Sequence, residues 1–134
     1  MVEIIAILKP EVVVQSGHIL GITDASFSPN GKMVATASAD ETIRLWDLRL
    51  GSELRVLLGH TGPVYSVRFN HDCTILASAS YDRTVRLWEI PSGREIQVFQ
   101  EGLNLPMYQV RFDHTGAFLA ASSQHYRGRC QAFV

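Results

Sequence analysis

Lysine is nearly missing from this chain of 134 residues: Lys9 and Lys32 are the only two. Twelve basic residues stand against 13 acidic ones, for a formal net charge of −1. No basic surplus exists to draw the chain to nucleic acid or to an anionic membrane. The skew toward arginine leans toward partner binding, because guanidinium pairs and stacks better than ammonium; nucleotide bias accounts for it equally well. Cysteine is scarce too. Cys73 and Cys130 form no CxxC pair and no run with histidine at ligand spacing, so neither a metal site nor a disulfide framework is indicated. Two free thiols fit a reducing compartment, and a cytoplasmic location is the expectation. Long apolar runs are absent: Val2–Leu8 is broken by Glu3 and is too short for a membrane span or a signal peptide. It reads as a strand. No stretch combines helical periodicity with caps, so the chain reads as all-β.

What is present is a repeat. Shifted by 42, residues 17–58 fall on 59–100 without a gap, with fourteen identities. They include Gly17/Gly59, His18/His60, Ala35/Ala77, Ala37/Ala79, Ser38/Ser80, Asp40/Asp82, Thr42/Thr84, Arg44/Arg86, Trp46/Trp88 and Glu53/Glu95. Each unit holds four short strands between turn signals. In the second unit they are expected at Val64–Phe69, Ile75–Ser80, Thr84–Glu89 and Glu95–Gln100, with turns at Asn70-His71-Asp72, Tyr81-Asp82-Arg83 and Pro91-Ser92-Gly93. A third copy follows at an offset of 43, where Met107, Val110, Arg111 and Phe112 match Val64, Val67, Arg68 and Phe69. That copy degenerates. Leu103 replaces the His, Ala121 the Ser and His125 the Asp; Gln131 stands in the Trp slot, which a slip of two would give to Phe133. Ahead of the first unit, Glu11–Gln15 occupies the slot of a fourth strand and Val2–Leu8 that of a third.

A period near 42, Gly-His opening the unit, an Asp turn and Trp-Asp closing the third strand resemble WD repeats. "GHTGPVYSVRFNHDCTILASASYDRTVRLWE" carries the resemblance most closely, and "GHILGITDASFSPNGKMVATASADETIRLWD" nearly as well. The resemblance implies WD-repeat β-propeller blades, four-stranded antiparallel sheets, about three in number and incomplete as one closed propeller. The partial propeller spans 1–134: strands at 1–16, a first repeat at 17–58, a second at 59–101, and a degenerate, truncated third at 102–134. It also implies a buried hydrogen-bond tetrad per blade. Trp46 would donate to Thr36, and His18 would link that hydroxyl to Asp40; Trp88, Ser78, His60 and Asp82 would do the same in the next blade. Buried polar groups of these types are costly unless paired, so they must occur together. The linkers "KPEVVVQSGH", "GSELRVLLGH" and "SGREIQVF" are similar to those of bacterial multi-repeat WD proteins, whose propellers accompany kinase, protease or signalling domains.

The function implied is a protein–protein interaction scaffold with no catalysis, no cofactor and no metal. Its partners are other proteins, with no nucleic acid and no membrane. Ser78, His60 and Asp82 are the residue types of a hydrolase triad. The same trio recurs as Thr36, His18 and Asp40 beside a Trp each time, without a nucleophile elbow, which favours structural work. Thr61, Tyr65, Tyr81 and Arg83 are expected on a binding face formed by the loops before first strands and between second and third strands. Tyr and Arg are frequent binding hot spots; alternatively Tyr65 packs between blades. Trp46-Asp47-Leu48-Arg49 resembles the box by which some WD proteins dock on a cullin–RING ligase adaptor, with Arg49 as the contact. A regulatory propeller segment of a larger kinase- or protease-linked protein is a further alternative. Three blades fall short of the usual four to eight, so a homo-oligomer or part of a longer propeller is expected. Outward apolar faces would carry Ile22, Val34 and Leu45 at one end, and Met107, Phe112, Phe118 and Leu119 at the other.

Overall fold

The computed structural model describes the backbone of residues 3–8, 11–100, 104–124 and 130–133, and side chains over 17–100 and 104–123. A hairpin of β1 (Glu3–Leu8) and β2 (Glu11–Ser16) comes first. The first blade is a meander of β3 (Ile22–Phe27), β4 (Met33–Ser38), β5 (Ile43–Asp47) and β6 (Ser52–Leu57). The second is β7 (Val64–Phe69), β8 (Ile75–Ser80), β9 (Val85–Glu89) and β10 (Arg94–Phe99). A third sheet holds β11 (Met107–Phe112), β12 (Leu119–Gln124) and β13 (Cys130–Phe133). Every pairing is antiparallel between sequence neighbours, as short turns require. Among the described residues no helix is long and apolar enough to cross a membrane.

Blades stack face to face. β4 and β8 are covered on both faces, so they read as runs of small and aliphatic residues, MVATAS and ILASAS, rather than as alternation. One core lies between the first two blades and includes Ala35, Ala37, Ile43, Leu45 and Leu57 against Val64, Val67, Phe69, Leu76 and Trp88. A second joins Ala77, Ala79 and Val85 to Met107, Val110 and Ala121. Polar ties cross the first joint: Asp24 accepts from the Val67 backbone N–H at 3.1 Å and pairs with Arg68 at 2.5 Å.

Three expectations need correction. Thr84 is not the first residue of β9, because its backbone N–H and hydroxyl are both held by Asp82 Oδ1 in the turn. β10 starts and ends one residue earlier than expected, since the tight turn pairs Arg94 with Glu89. Neither Gln131 nor Phe133 takes the place of Trp. Trp88 pairs opposite Leu76, whose counterpart is Leu119, whereas Phe133 pairs opposite Ala121 and Gln131 opposite Ser123. Leu103 and His125 lie outside the described residues.

The outward faces also differ from expectation. Leu45 and Met107 are buried in the two inter-blade cores, and Phe112 and Leu119 pack against the second core rather than facing away. Val34 is buried too, and Ile22 is half-buried. Of the residues named, Phe118 alone is largely exposed, at 64%.

Candidate functional site

Each full blade contains one continuous polar chain. In the first, Trp46 Nε1–H donates to Thr36 Oγ1 at 2.9 Å, and His18 Nε2 lies 2.8 Å from the same oxygen. His18 Nδ1 sits 3.0 Å from Asp40 Oδ2. In the second, Trp88 Nε1–H donates to Ser78 Oγ at 2.9 Å, His60 Nε2 is 2.7 Å from that oxygen, and His60 Nδ1 is 2.7 Å from Asp82 Oδ2. A hydroxyl that accepts from indole donates its own proton to Nε2, so the imidazole proton sits on Nδ1 and faces the carboxylate. The aspartates also fasten the preceding loop, since Asp40 accepts from Ile19 N–H and Asp82 from Thr61 N–H.

Burial and bonding compete at these groups. Burial pushes the Asp40 carboxyl up, but donors from Thr42, His18 and Ile19 outweigh it and hold it at about 2. Burial likewise raises Asp82, and bonds from His60 and Thr84 outweigh it, leaving the carboxyl well below the usual range. Burial lowers His18 more than the Asp40 bond and charge raise it. His18 is therefore a neutral imidazole near pH 7.

The Gly of Gly-His has a packing reason. A Cβ on Gly17 would lie 2.7 Å from Trp46 Cη2, and one on Gly59 2.8 Å from an Arg86 nitrogen and 3.1 Å from Trp88 Cη2. Ser38, Ser80, Thr42 and Thr84 join the network although the tetrad pattern omits them. Ser80 Oγ donates to the Gly62 and Pro63 carbonyls, and Ser38 Oγ to those of Leu20 and Gly21. The ion pairs Arg44–Glu53 and Arg86–Glu95 recur beside them. Identity at an offset of 42 was the available signal for all of these.

As a triad, Ser78–His60–Asp82 has workable distances and no access. Ser78 has no exposed surface, and its oxygen already serves Trp88 and His60. Among the described residues no group of three His, Cys, Asp or Glu side chains is placed to hold a metal ion.

An aromatic cluster gathers side chains from β7, the β8–β9 turn and β11. Tyr65 stacks on Tyr108 with centroids 4.8 Å apart and planes 12° from parallel. Tyr81 meets Tyr65 edge-on at 6.4 Å. Burial, then the neighbouring Tyr108 and Tyr81, push the Tyr65 hydroxyl's pKa up. The positions follow from the backbone: pairing skips Tyr65 between Val64 and Ser66, and Tyr108 between Met107 and Gln109. Such bulges re-aim a side chain out of the sheet. Thr61, Tyr81 and Arg83 are exposed on the adjoining loops, and Tyr81 is 54% exposed. Tyr81 N–H donates to the Pro63 carbonyl, which holds the two loops together.

Tyr108 was missed, although it stands 43 positions after Tyr65 in the offset that aligns the third copy. Ile19 and Leu20 were missed as well. They fill the slots of Thr61 and Gly62 in the first blade and are 75% and 51% exposed. Arg49 lies elsewhere. It is exposed in the β5–β6 turn, at the opposite end of the meander from the β4–β5 turn, where its N–H is held by Asp47 Oδ1 at 2.8 Å. Gly31, Lys32, Asp47 and Leu48 line a shallow pocket with it.

A family model described as "WD domain, G-beta repeat" matches residues 9–47 and 51–89. The chain is similar to a probable cytosolic iron-sulfur protein assembly protein Ciao1 of Culex quinquefasciatus, at 43% identity over 42 residues, 31% of this chain and 12% of that protein. A Notchless protein homolog of Arabidopsis thaliana is 52% identical over 33 residues, 25% of this chain and 7% of that protein. Protein Mut11 of Chlamydomonas reinhardtii is 41% identical over 39 residues, 29% of this chain and 10% of that protein. The matched segments thus cover 12% or less of these curated relatives' own length.

Proposed function

This chain belongs to the WD-repeat family, and we propose that it is a protein-interaction scaffold whose binding surface is the aromatic edge of its second and third blades. The observation that carries this reading is the cluster of Tyr65, Tyr81 and Tyr108, gathered from three elements and flanked by exposed Thr61 and Arg83. Stacked tyrosines offer large, rigid, amphipathic area at low entropic cost, which is the chemistry of binding hot spots. The partners are other proteins, and the propeller is completed by further blades. The name of the Ciao1 relative, a cytosolic assembly protein, supports both a scaffold role and a cytoplasmic location.

Chemistry plays no part in this reading. The trio of Ser78, His60 and Asp82 holds a Trp in place, as Thr36, His18 and Asp40 do one blade earlier. The tetrads are structural, and they fix the loops that present the tyrosines.

Cross-linking of the chain to its cellular partners tests the surface. Tyr65→Ala with Tyr81→Ala should abolish the captured species, while Arg49→Ala should retain them. Capture lost instead with Arg49→Ala would move the interface to the β5–β6 turn, the place of ligase-adaptor docking. A serine-reactive phosphonate should leave Ser78 unlabelled in the folded chain. Labelling there that vanishes on denaturation would make the chain an enzyme.

A further inference from the structure

The tyrosine surface is built mainly on the second blade, which is packed on both sides. β7 meets β3 and β4 of the first blade, and β11 meets β7 and β8. Exposure at the loops of this blade is therefore a property of the loops themselves. The Pro63 carbonyl and the Tyr81 N–H tie two of them together, and Thr61, Tyr81 and Arg83 stand exposed on them.

This surface is rich in hydrogen-bond donors. Tyr65, Tyr81 and Tyr108 contribute three phenol hydroxyls, and none of these has a hydrogen-bond partner among the described residues. Thr61 adds an exposed hydroxyl, and Arg83 a planar fork of N–H groups. Burial and the two neighbouring phenols push the Tyr65 hydroxyl's pKa up, so it keeps its proton. The carboxylates close by are already engaged. The Asp82 side chain is 3% exposed, and its oxygens accept from His60, Thr84 and the Thr61 N–H. Glu95 is paired with Arg86.

Charge at this end changes sign between blades. Arg83 has a φ of 69° in the β8–β9 turn, and Glu41 a φ of 72° at the same position of the β4–β5 turn. One backbone shape thus presents a base on the second blade and an acid on the first. The aromatic rings go with the base, since the first blade has Thr23 and Ala39 in the slots of Tyr65 and Tyr81.

We infer that the partner presents an acidic segment to this surface, with glutamate or aspartate carboxylates that accept from the phenol hydroxyls and pair with Arg83. A guanidinium gives one carboxylate two parallel N–H bonds. Phosphate recognition gathers several arginines, and Arg83 is the one arginine on these two loops. The inference rests on the reading of the tyrosines as the binding face, and the experiment separates the two.

Binding of the full chain to synthetic peptides tethered on a biosensor tests it. The probe is a Gly-Ser peptide with a central run of glutamates, beside versions carrying glutamine, lysine or phosphoserine instead. The chain should hold the glutamate peptide, release it as salt rises, and pass over the glutamine and lysine versions. Arg83→Glu should weaken the glutamate peptide about tenfold and gain the lysine peptide. Glu41 already occupies that backbone position in the first blade, so the turn accepts the change. Tyr65→Phe with Tyr81→Phe keeps the rings, removes two donors and should weaken the glutamate peptide roughly fivefold. Arg49→Gln, in the β5–β6 turn, should change nothing. Emission from the buried Trp46 and Trp88 checks folding; where Arg83→Glu loses it, Arg83→Gln takes its place. Failure to hold the glutamate peptide, equal binding of the glutamine version, preference for phosphoserine, or indifference to the change at Arg83 overturns the inference. If cellular capture is still lost on Tyr65→Ala with Tyr81→Ala, any of these results sinks the acidic partner and leaves the tyrosine surface standing. Capture that survives that pair of changes sinks the surface, and the inference with it.

Discussion

Tyr65 and Tyr108 lie ring on ring across the joint between the second and third blades, with centroids 4.8 Å apart. Each is the residue skipped by pairing in the first strand of its blade. The stack is thus a product of repetition: the same bulge in neighbouring blades places like side chains in contact. A double-mutant cycle with Tyr65→Ala and Tyr108→Ala, read by urea unfolding, should give a coupling of about 0.5–1.5 kcal/mol. Zero coupling would mean the rings act independently.

Asp82 holds its blade together through His60, Thr84 and the Thr61 N–H. Asp82→Ala leaves the buried His60 and Thr84 donors without an acceptor and should cost about 2–4 kcal/mol in chemical unfolding. Asp40→Ala should cost a similar amount in the first blade. The change His125→Ala, at a position outside the described residues, should cost much less, since that copy has lost its Trp. Equal losses at all three would dissociate the tetrads from stability.

Acid should weaken the fold in two stages. His18 has its pKa lowered from 6.5 by burial, so the unfolded chain binds its proton more readily. That contribution is fully present above pH 6.5 and is lost as pH falls toward the folded value. Asp40 is depressed from 3.8 to about 2, and its contribution is lost as pH falls from 3.8 through about 2. Thermal melts from pH 8 to pH 2 should show both losses, and His18→Gln should remove the upper one. A melting temperature that rises on acidification through either window would contradict the assigned directions.

Cys73 occupies a left-handed backbone position with φ of 64°, in the slot that Gly31 and Gly116 fill in the other copies at 70° and 75°. A Cβ there costs roughly 1–2 kcal/mol relative to glycine. Cys73→Gly should therefore stabilise the chain by up to about 1 kcal/mol, after allowance for glycine's greater unfolded-state entropy. Differential unfolding of the two chains checks it; a loss of stability would mean the thiol packs more productively than its backbone suggests.

Much of this was legible in one dimension. The offset of 42 located every strand of the two full blades to within a residue, because turn chemistry at Asp40, Asp82, Gly51 and Gly93 punctuates each unit. Thr84 was misassigned because its Asp82 contacts compete with strand pairing, a local effect that pattern does not register. The outward faces were misread for a different reason. Both faces of an inner blade are apolar, so alternation names two faces without saying which neighbour each one meets. The bulge in each first strand then shifts the alternation by one residue partway along.

Sequence by itself determined the all-β class, the repeat and the residues that make the turns, while the membership of each tetrad came from its resemblance to WD repeats. Those features depend on neighbours within one unit, where spacing along the chain is enough to specify contact. Tertiary structure alone decided what the units do to one another. It brought Tyr65, Tyr81 and Tyr108 into one cluster, set Arg49 at the far end of the meander, and buried Leu45 and Met107. It also left Phe27 bare while covering its counterpart Phe69. The physical reason is that a residue's burial in a stacked repeat is set by the blade beside it, and identical residues in successive units meet different neighbours.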